Sequence, residues 1–294
     1  MAKELVVLSG KGGTGKTTIA AALAHLAAQQ AQLVLADADV DASNLELVVG
    51  VQPGARQEFY GGKEAIVDPD LCTACGRCAE VCRFGAIIPG EPYAVDGVLC
   101  EGCAVCFYQC PVEAIRMEDA LDGYWLRSQS RYGPMVHGML RAGRENSGKL
   151  VALVKEKARG LVEETGADLL LVDGPPGIGC AVIASLSGAS LALAVTEPTV
   201  AGFHDLERIV GVAKHFRVPI LVCLNKADLS PQQAAEVERF CAAEGIELLA
   251  RIPYDQAVTR AMVQGRPITA DGHGPAAEAL RELWAKIRPH WMDG

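Results

Sequence analysis

A glycine-rich octapeptide near the start of the chain has the sequence Gly10-Lys11-Gly12-Gly13-Thr14-Gly15-Lys16-Thr17. It follows an apolar stretch typical of a buried strand, Leu5–Leu8, and precedes an alanine-rich stretch typical of a helix, Lys16–Gln30. The pattern G-x-x-x-x-G-K-[ST] between a strand and a helix is typical of a phosphate-binding loop, because glycines let backbone N–H groups surround phosphate oxygens. The octapeptide therefore predicts a P-loop nucleotide-binding domain.

The same pattern assigns chemistry to its last residues. Lys16 is expected to bridge the β- and γ-phosphates, and the Thr17 hydroxyl is expected to bind Mg²⁺. We expect nucleotide contacts along the whole loop and one residue beyond it, at Gly10, Lys11, Gly12, Gly13, Thr14, Gly15, Lys16, Thr17 and Thr18.

Strand-like and helix-like segments alternate along the rest of the chain. Short apolar runs bounded by turn residues occur at Leu33–Ala36, Leu169–Val172, Leu191–Val195 and Ile220–Leu224. Helical stretches occur at Leu150–Glu164, Ala201–His215 and Pro231–Ala243. Continuous apolar runs suit strands that are buried on both faces, so the alternation predicts an α/β fold with a doubly wound, mostly parallel sheet.

Polar residues follow several of these strands. Asp37 and Asp39 follow the second strand, and Asp173 follows Leu169–Val172. Carboxylates beside a phosphate site serve as Mg²⁺ ligands or as a base. Asn225 begins the motif Asn-Lys-Ala-Asp, which reads guanine in small GTPases, so this pattern alone leaves GTP open.

Eight of the eleven cysteines form two runs with the same spacing, C-x-x-C-x-x-C-x-x-x-C. This repeat is the pattern of bacterial two-cluster ferredoxins, in which the fourth cysteine of each run ligates the other cluster. Zinc sites use about four ligands in two pairs, which this repeat does not match. We therefore predict two [4Fe–4S] clusters. Their ligand sets are Cys72, Cys75, Cys78 and Cys110 for the first and Cys100, Cys103, Cys106 and Cys82 for the second.

The cysteine runs also define the predicted domains. A ferredoxin-like insert is expected at residues 61–121, inside a P-loop domain formed by residues 1–60 and 122–294. Arg83 stands where a proline usually follows the fourth cysteine. The remaining cysteines, Cys180, Cys223 and Cys241, are expected to be buried.

Composition narrows the functional classes. The chain has 294 residues and a formal net charge of -9, which argues against a nucleic-acid partner. No apolar run approaches the ~20 residues that span a bilayer, and no signal peptide is evident. We therefore expect a cytoplasmic protein without a transmembrane segment, in which the cysteines are reduced and bind metal.

The octapeptide, with Lys11 as a second lysine, resembles the deviant Walker A motif of the MinD/ParA/Mrp superfamily, which includes the nitrogenase iron protein. This resemblance implies ATP or ADP with Mg²⁺, and a homodimer in which Lys11 reaches the partner's nucleotide. It also implies catalytic roles for Lys11, Lys16 and Asp39, and Mg²⁺ binding by Thr17, Asp39 and Asp173. Further nucleotide contacts are implied for Gly177 after the Asp173 strand, for Asn225 at the adenine and for Pro253 in the segment that covers the base.

Together, motifs and resemblance predict an ATP-hydrolysing iron–sulfur protein. Its nucleotide-gated dimer is expected to couple ATP to electron transfer through the two clusters. Two alternatives stay open: assembly or delivery of metal–sulfur clusters, and spatial organisation in the manner of MinD or ParA with redox-sensing clusters. The redox or cluster-accepting partner is not identified by the sequence.

Overall fold

A computed structural model describes residues 2–52, 54–144 and 147–293. The strands are β1 Lys3–Ser9, β2 Leu33–Asp37, β3 Arg56–Val67, β4 Ile87–Ile88, β5 Ala94–Val95, β6 Ile115–Ser130, β7 Gly133–Leu140, β8 Leu169–Pro176, β9 Leu191–Thr196, β10 Ile220–Asn225 and β11 Leu248–Ile252. The helices are α1 Lys16–Ala27, α2 Leu45–Val49, α3 Arg77–Val81, α4 Val105–Gln109, α5 Ser147–Thr165, α6 Cys180–Leu186, α7 Val200–His215, α8 Pro231–Ala243, α9 Gln256–Val263, α10 Ile268–Asp271 and α11 Pro275–Arg288, followed by a π-helical turn, Pro289–Asp293.

The chain divides into two units. The first unit contains Met1–Arg56, Trp125–Met139 and Ser147–Gly294. The second, here called the cysteine unit, contains Gln57–Tyr124 and Leu140–Asn146. The predicted insert, 61–121, lies inside the cysteine unit, which also includes a return segment that the sequence analysis assigned to the P-loop domain.

The first unit is built on a parallel sheet with the strand order β11-β10-β9-β1-β8-β2-β7. The register places Asp173 of β8 beside Asp37 of β2 on one side and beside Val7 of β1 on the other. The carboxyl ends of these central strands therefore meet at one edge, where open α/β sheets bind ligands. The mostly parallel α/β fold predicted from the alternating segments is confirmed.

Helices cover the apolar strands in the expected way. Helix α1 is rich in alanine and buries most of its length, because small side chains allow close packing against the sheet. Helix α8 begins as predicted, with the Ser230 hydroxyl accepting a hydrogen bond from the Gln233 N–H and Pro231 in the first turn. Helix α11 buries the predicted apolar face of Leu280, Leu283, Trp284 and Ile287.

Three long strands were not predicted from the sequence. Strands β3, β6 and β7 flank the cysteine runs, and their exposure is mixed along most of their length. Such partly exposed strands lack the continuous apolar run that marked the central strands. Two residues, Arg131 and Tyr132, join β6 to β7, so these strands form a hairpin.

Candidate functional site

The phosphate-binding loop requires glycine for two distinct reasons. Gly13 and Gly15 adopt left-handed backbone conformations, with φ of 81° and 92°. In addition, a Cβ atom on Gly15 would lie 2.3 Å from the Asn225 side-chain nitrogen, and one on Gly10 would lie 2.0 Å from Cβ of Asp205. Close approach from α7 and β10 thus fixes the loop between its strand and helix.

Two residues at the end of β10 brace this loop. The Asn225 amide donates to the Thr14 carbonyl at 2.7 Å, and the Lys226 ammonium donates to the Gly13 carbonyl at 2.9 Å. The resemblance assigned Asn225 to the base, whereas here its amide nitrogen holds the loop. These two hydrogen bonds therefore hold the loop conformation without a bound phosphate.

A buried cation lies between two carboxylates below the loop. Lys16 Nζ is 2.9 Å from Asp173 Oδ1 and 3.2 Å from Asp39 Oδ2. Burial would lower the pKa of Lys16, but the Asp173 and Asp39 charges outweigh it and raise the pKa. The structure thus brings together residues that come from α1, β8 and the end of β2.

Both carboxylates have one oxygen that could ligate a metal ion. Asp39 Oδ1, Asp173 Oδ2 and Thr14 Oγ1 are buried and have no hydrogen-bond partner among the described residues. A buried carboxylate oxygen without a partner is unfavourable, and hard divalent cations prefer oxygen ligands. The donor set therefore fits Mg²⁺. Thr17, the other predicted ligand, is partly exposed at the start of α1.

Asp37 positions the segment that follows it. Its carboxylate accepts hydrogen bonds from the Asp39 N–H, the Ser43 hydroxyl and the backbone N–H groups of Asn44 and Leu45. Burial and the Asp173 charge raise the pKa of Asp37 to about 7. Asp37 was predicted, with Asp39, to be a Mg²⁺ ligand or a base, and the structure shows that its carboxylate connects Asp39 to the start of α2.

Lys11 is held by a carboxylate that the sequence analysis missed. Lys11 Nζ lies 2.5 Å from Glu197 Oε1 and 3.4 Å from the Thr199 hydroxyl, and Lys226 Nζ lies 3.1 Å from Glu197 Oε2. Burial would raise the pKa of Glu197, but hydrogen bonds from both lysines outweigh it and lower the pKa. Glu197 directly follows β9, and its position at a strand end was the available signal.

A cavity of about 280 Å³ adjoins the loop. Its lining includes the predicted residues Gly13, Gly15, Thr18, Asn225 and Pro253 together with unpredicted side chains, among them Tyr254, Val258, Met262 and Leu280. A mostly apolar cavity with a few polar groups suits an aromatic base. Gly177 lies elsewhere: its N–H donates to the Ser9 carbonyl at 2.8 Å, so it would have to release that bond to meet a phosphate.

The cysteine unit contains two smaller cavities lined by thiols. One is lined by Cys72, Cys75, Cys78 and Cys110, and the other by Cys82, Cys100, Cys103 and Cys106. We call them the first and second thiol cavities. Each gathers three thiols of one run and the fourth thiol of the other. Within residues 2–52, 54–144 and 147–293, no group of three or more histidine, cysteine, aspartate or glutamate side chains is arranged to hold a metal ion.

The backbone around the two thiol cavities repeats with a period of 28 residues. Left-handed residues recur at equivalent positions, in the pairs Ala74 and Gly102, Gly76 and Ala104, and Gly85 and Glu113. In both repeats a backbone N–H donates to the fourth sulfur, from Ala86 to Cys82 and from Ala114 to Cys110. Hydrogen bonds to sulfur and thiolate donors are what iron–sulfur clusters use, so the residues present fit two cubane clusters.

Of the three cysteines outside the thiol cavities, two are buried and one is exposed. Cys223 and Cys241 are buried as predicted, and burial raises the pKa of their thiols to about 12 and about 11. The prediction for Cys180 was wrong, because its side chain is exposed at the start of α6. That helix has only seven residues, of which Val182, Ser185 and Leu186 are buried.

His137 gives a testable pH dependence of stability. Its Nδ1 lies 3.0 Å from Glu46 Oε2 and its Nε2 lies 3.0 Å from the Ser128 hydroxyl. Burial lowers the pKa of His137 more than Glu46 raises it, so the unfolded chain binds this proton more readily. We expect the melting temperature to decrease as the pH is lowered below about 6.5, and we expect a smaller decrease in His137→Gln. His25, whose pKa burial also lowers, contributes equally to both proteins and serves as the internal control.

Comparison with known proteins agrees with this architecture. Residues 5–268 match the family described as the CobQ/CobB/MinD/ParA nucleotide binding domain. An uncharacterized protein of Methanocaldococcus jannaschii is 30% identical over 285 residues, which are 97% of this chain and 96% of that protein. The iron-sulfur cluster carrier protein of Pyrococcus abyssi is 24% identical over 307 residues, 97% of this chain and 85% of that protein.

Solved structures extend the comparison to the fold. The septum site-determining protein MinD of Pyrococcus horikoshii, complexed with Mg-ADP, superposes with a TM-score of 0.59 at 19% identity, covering 98% of this chain and 96% of that one. No helix within the described residues is long and apolar enough to cross a membrane. The family match over most of the chain, the loop and the parallel sheet agree, and the chain belongs to the CobQ/CobB/MinD/ParA family of P-loop nucleotide-binding proteins.

Proposed function

We propose that this protein hydrolyses ATP and that its nucleotide state controls electron transfer through two [4Fe–4S] clusters. The observation that carries the proposal is the pairing of two features on one chain. A braced phosphate loop lies above two carboxylates with unpaired oxygens, and two thiol cavities each collect four cysteines. We further propose that residues 61–121 are a ferredoxin-type insert in the P-loop domain of residues 1–60 and 122–294.

The nucleotide site supplies the groups that phosphoryl transfer needs. Lys16 would stabilise charge on the β- and γ-phosphates, and the loop N–H groups would orient them. Thr17, Asp39 and Asp173 would hold Mg²⁺, which neutralises phosphate charge when bound. Asp39 would also orient the attacking water. The apolar cavity beside Pro253 would take the base, and family membership favours adenine there.

The cysteine unit would hold the clusters by the sets that line the two thiol cavities. When bound, such clusters exchange single electrons. The left-handed residues and the N–H groups directed at Cys82 and Cys110 keep the thiols in place before metal arrives. The acceptor or donor of these electrons is a protein partner that the site does not identify.

We predict that Lys11 contacts the nucleotide of a second subunit and is therefore required for ATP-dependent dimerisation. In the structure its ammonium is held by Glu197 and Thr199 of its own chain, so it must leave both to act on a second subunit. We expect Lys11→Ala to bind Mg-ATP as a monomer, whereas the wild-type chain sediments as a dimer with ATP and as a monomer with ADP. Arg208→Ala, which removes an exposed basic side chain on α7, is the control. A Lys11→Ala protein that still dimerises with ATP would contradict the assignment.

A second candidate is delivery of preformed clusters, which the similarity to the Pyrococcus abyssi cluster carrier supports. Cys75 and Cys103 are exposed at the thiol cavities, as a delivered cluster would require. Incubation of the loaded protein with an apo-ferredoxin separates the two functions. Iron transferred to the acceptor on ATP addition supports delivery, and electrons transferred with iron retained support the redox function.

The primary test uses protein purified without oxygen. We expect about eight irons and eight sulfides per chain, and retention of one Mg-nucleotide. Far fewer irons, or failure to retain Mg-nucleotide, would overturn the proposed function. A further measurement is the rate at which an acceptor is reduced in the presence of ATP. An unchanged rate after replacement of Lys16 would contradict nucleotide control of electron transfer but not the presence of the clusters.

A further inference from the structure

The tip of the β6–β7 hairpin contacts elements on several sides of the nucleotide site. The Arg131 guanidinium donates to the carbonyl oxygens of Val49 and Val48 at the end of α2, and to that of Gly265 after α9. The neighbouring ring of Tyr132 packs edge-on against His25 of α1, with ring centroids 5.6 Å apart. Since α1 begins in the phosphate loop and α9 lines the base cavity, the tip is in contact with elements that bind both ends of the nucleotide.

Helix α2 requires this contact to end where it does. Gly50 terminates α2 in a left-handed conformation with φ of 64°. A Cβ atom at Gly50 would lie 2.2 Å from the Arg131 guanidinium nitrogen, so the guanidinium occupies the space that any other residue would fill. The carbonyls at a helix C-terminus carry partial negative charge and favour a cation. Arg131 therefore caps α2, and a movement of α2 would displace the hairpin tip.

The other end of α2 is tied to the Mg²⁺-ligating segment. The Asp37 carboxylate accepts the N–H of Asp39 and also that of Leu45, the first residue of α2. Asp37 of β2 also lies opposite His137 of β7, and the His137 ring contacts Glu46 of α2. Asp37 thus connects Asp39 to the start of α2, and Arg131 connects the end of α2 to the hairpin.

The hairpin strands lead directly into the cysteine unit. The chain passes from that unit to the first within β6, between Tyr124 and Trp125, and returns after Met139. At its start, β6 bears Ile115, which lines the first thiol cavity. The residue before it, Ala114, donates its N–H to the Cys110 sulfur at 3.3 Å. One continuous strand therefore runs from a predicted cluster ligand to the tip that caps α2.

We propose that the β6–β7 hairpin is the element that couples nucleotide state to the thiol cavities, with Arg131 as its positioning residue. Mg-nucleotide displaces Asp39, α2 follows through Asp37, and Arg131 passes the displacement along β6 to the first thiol cavity. The inference rests on the proposed function, because it gives the gating a physical route. It assigns a role to residues that contact neither nucleotide nor cysteine.

Hydrogen exchange on the loaded full-length protein tests this route. We expect the nonhydrolysable analogue Mg-AMPPNP to slow exchange in residues 10–18, 45–50 and 115–124 of the wild type by about fivefold or more. In Arg131→Ala we expect the protection of 10–18 to remain and that of 115–124 to disappear. Chelation of iron by bathophenanthroline should likewise respond to nucleotide in the wild type and not in the variant.

Two variants keep the test independent of folding. Arg127 lies on the same strand as the hairpin tip, and Arg127→Ala removes an exposed ion pair with Glu164. The protection of residues 115–124 by Mg-AMPPNP in this variant should match that of the wild type. Arg131→Lys keeps the charge and loses the planar fork that reaches several carbonyls, so it should respond weakly while melting like the wild type. Full protection of 115–124 in Arg131→Ala, or none in a wild type protected at 10–18, would overturn the inference. A wild type with no protection at 10–18 would overturn the proposed function, and this inference with it.

Discussion

Replacing Lys16 with alanine is expected to lower the rate of ATP hydrolysis about a thousandfold. The Lys16 ammonium is buried between Asp39 and Asp173, at 3.2 and 2.9 Å, where low polarity strengthens its attraction for a phosphate. Without it, two buried carboxylates would face the phosphates with no cation from the protein. The measurement is steady-state phosphate release at saturating Mg-ATP.

A matched lysine separates this effect from a general loss of charge. Lys157 is a partly exposed residue of α5 that pairs with its neighbour Glu156 and lies over the Trp125 ring, so Lys157→Ala should hydrolyse ATP at the wild-type rate. Because removal of a buried partner also destabilises the fold, thermal melting of Lys16→Ala must accompany the assay. A folded Lys16→Ala protein within about tenfold of the wild-type rate would contradict the phosphate role.

Replacing Cys110 with alanine is expected to reduce the iron content from about eight to about four atoms per chain. Cys110 completes the first thiol cavity although it belongs to the second run, so its loss should remove the cluster of the first run. Iron and acid-labile sulfide analysis of anaerobic protein measures the change. Cys180→Ala is the control, because Cys180 is exposed and outside both cavities.

Paired substitutions test the crossed arrangement itself. Cys72 and Cys110 line the same cavity, so the double variant should keep about four irons, as each single variant does. Cys72 and Cys82 line different cavities although they belong to one run, so that double variant should keep almost none. The reverse outcome would show that each run ligates its own cluster.

Local patterns were sufficient for much of this fold and site. The strand and the helix that flank the phosphate loop, the start of α8 at Ser230 and the apolar face of α11 depend on residues that are close in sequence. The cysteine spacing likewise grouped the thiols into the same sets of four that line the two cavities. In each case the chemistry repeats at a short and regular interval.

Features that depend on distant packing were not predicted. Glu197 meets Lys11 only because β9 lies beside β1, and neither residue's neighbours indicate the pair. The hairpin was missed because its strands are partly exposed and alternate irregularly. Cys180 was misplaced because its exposure is set by the surroundings of a short helix rather than by its own sequence.

The lysine between Asp39 and Asp173 has a consequence for the order in which ligands associate. While Lys16 neutralises these carboxylates, it is not free to attract a nucleotide. It can leave them for a phosphate only when another cation replaces it, so the metal and the nucleotide should show strong positive linkage. ATP without Mg²⁺ would then bind weakly. Chelation of Mg²⁺ would release the nucleotide as effectively as dilution of the nucleotide. The concentration of free Mg²⁺, rather than that of ATP alone, would thereby set the fraction of the protein that holds nucleotide.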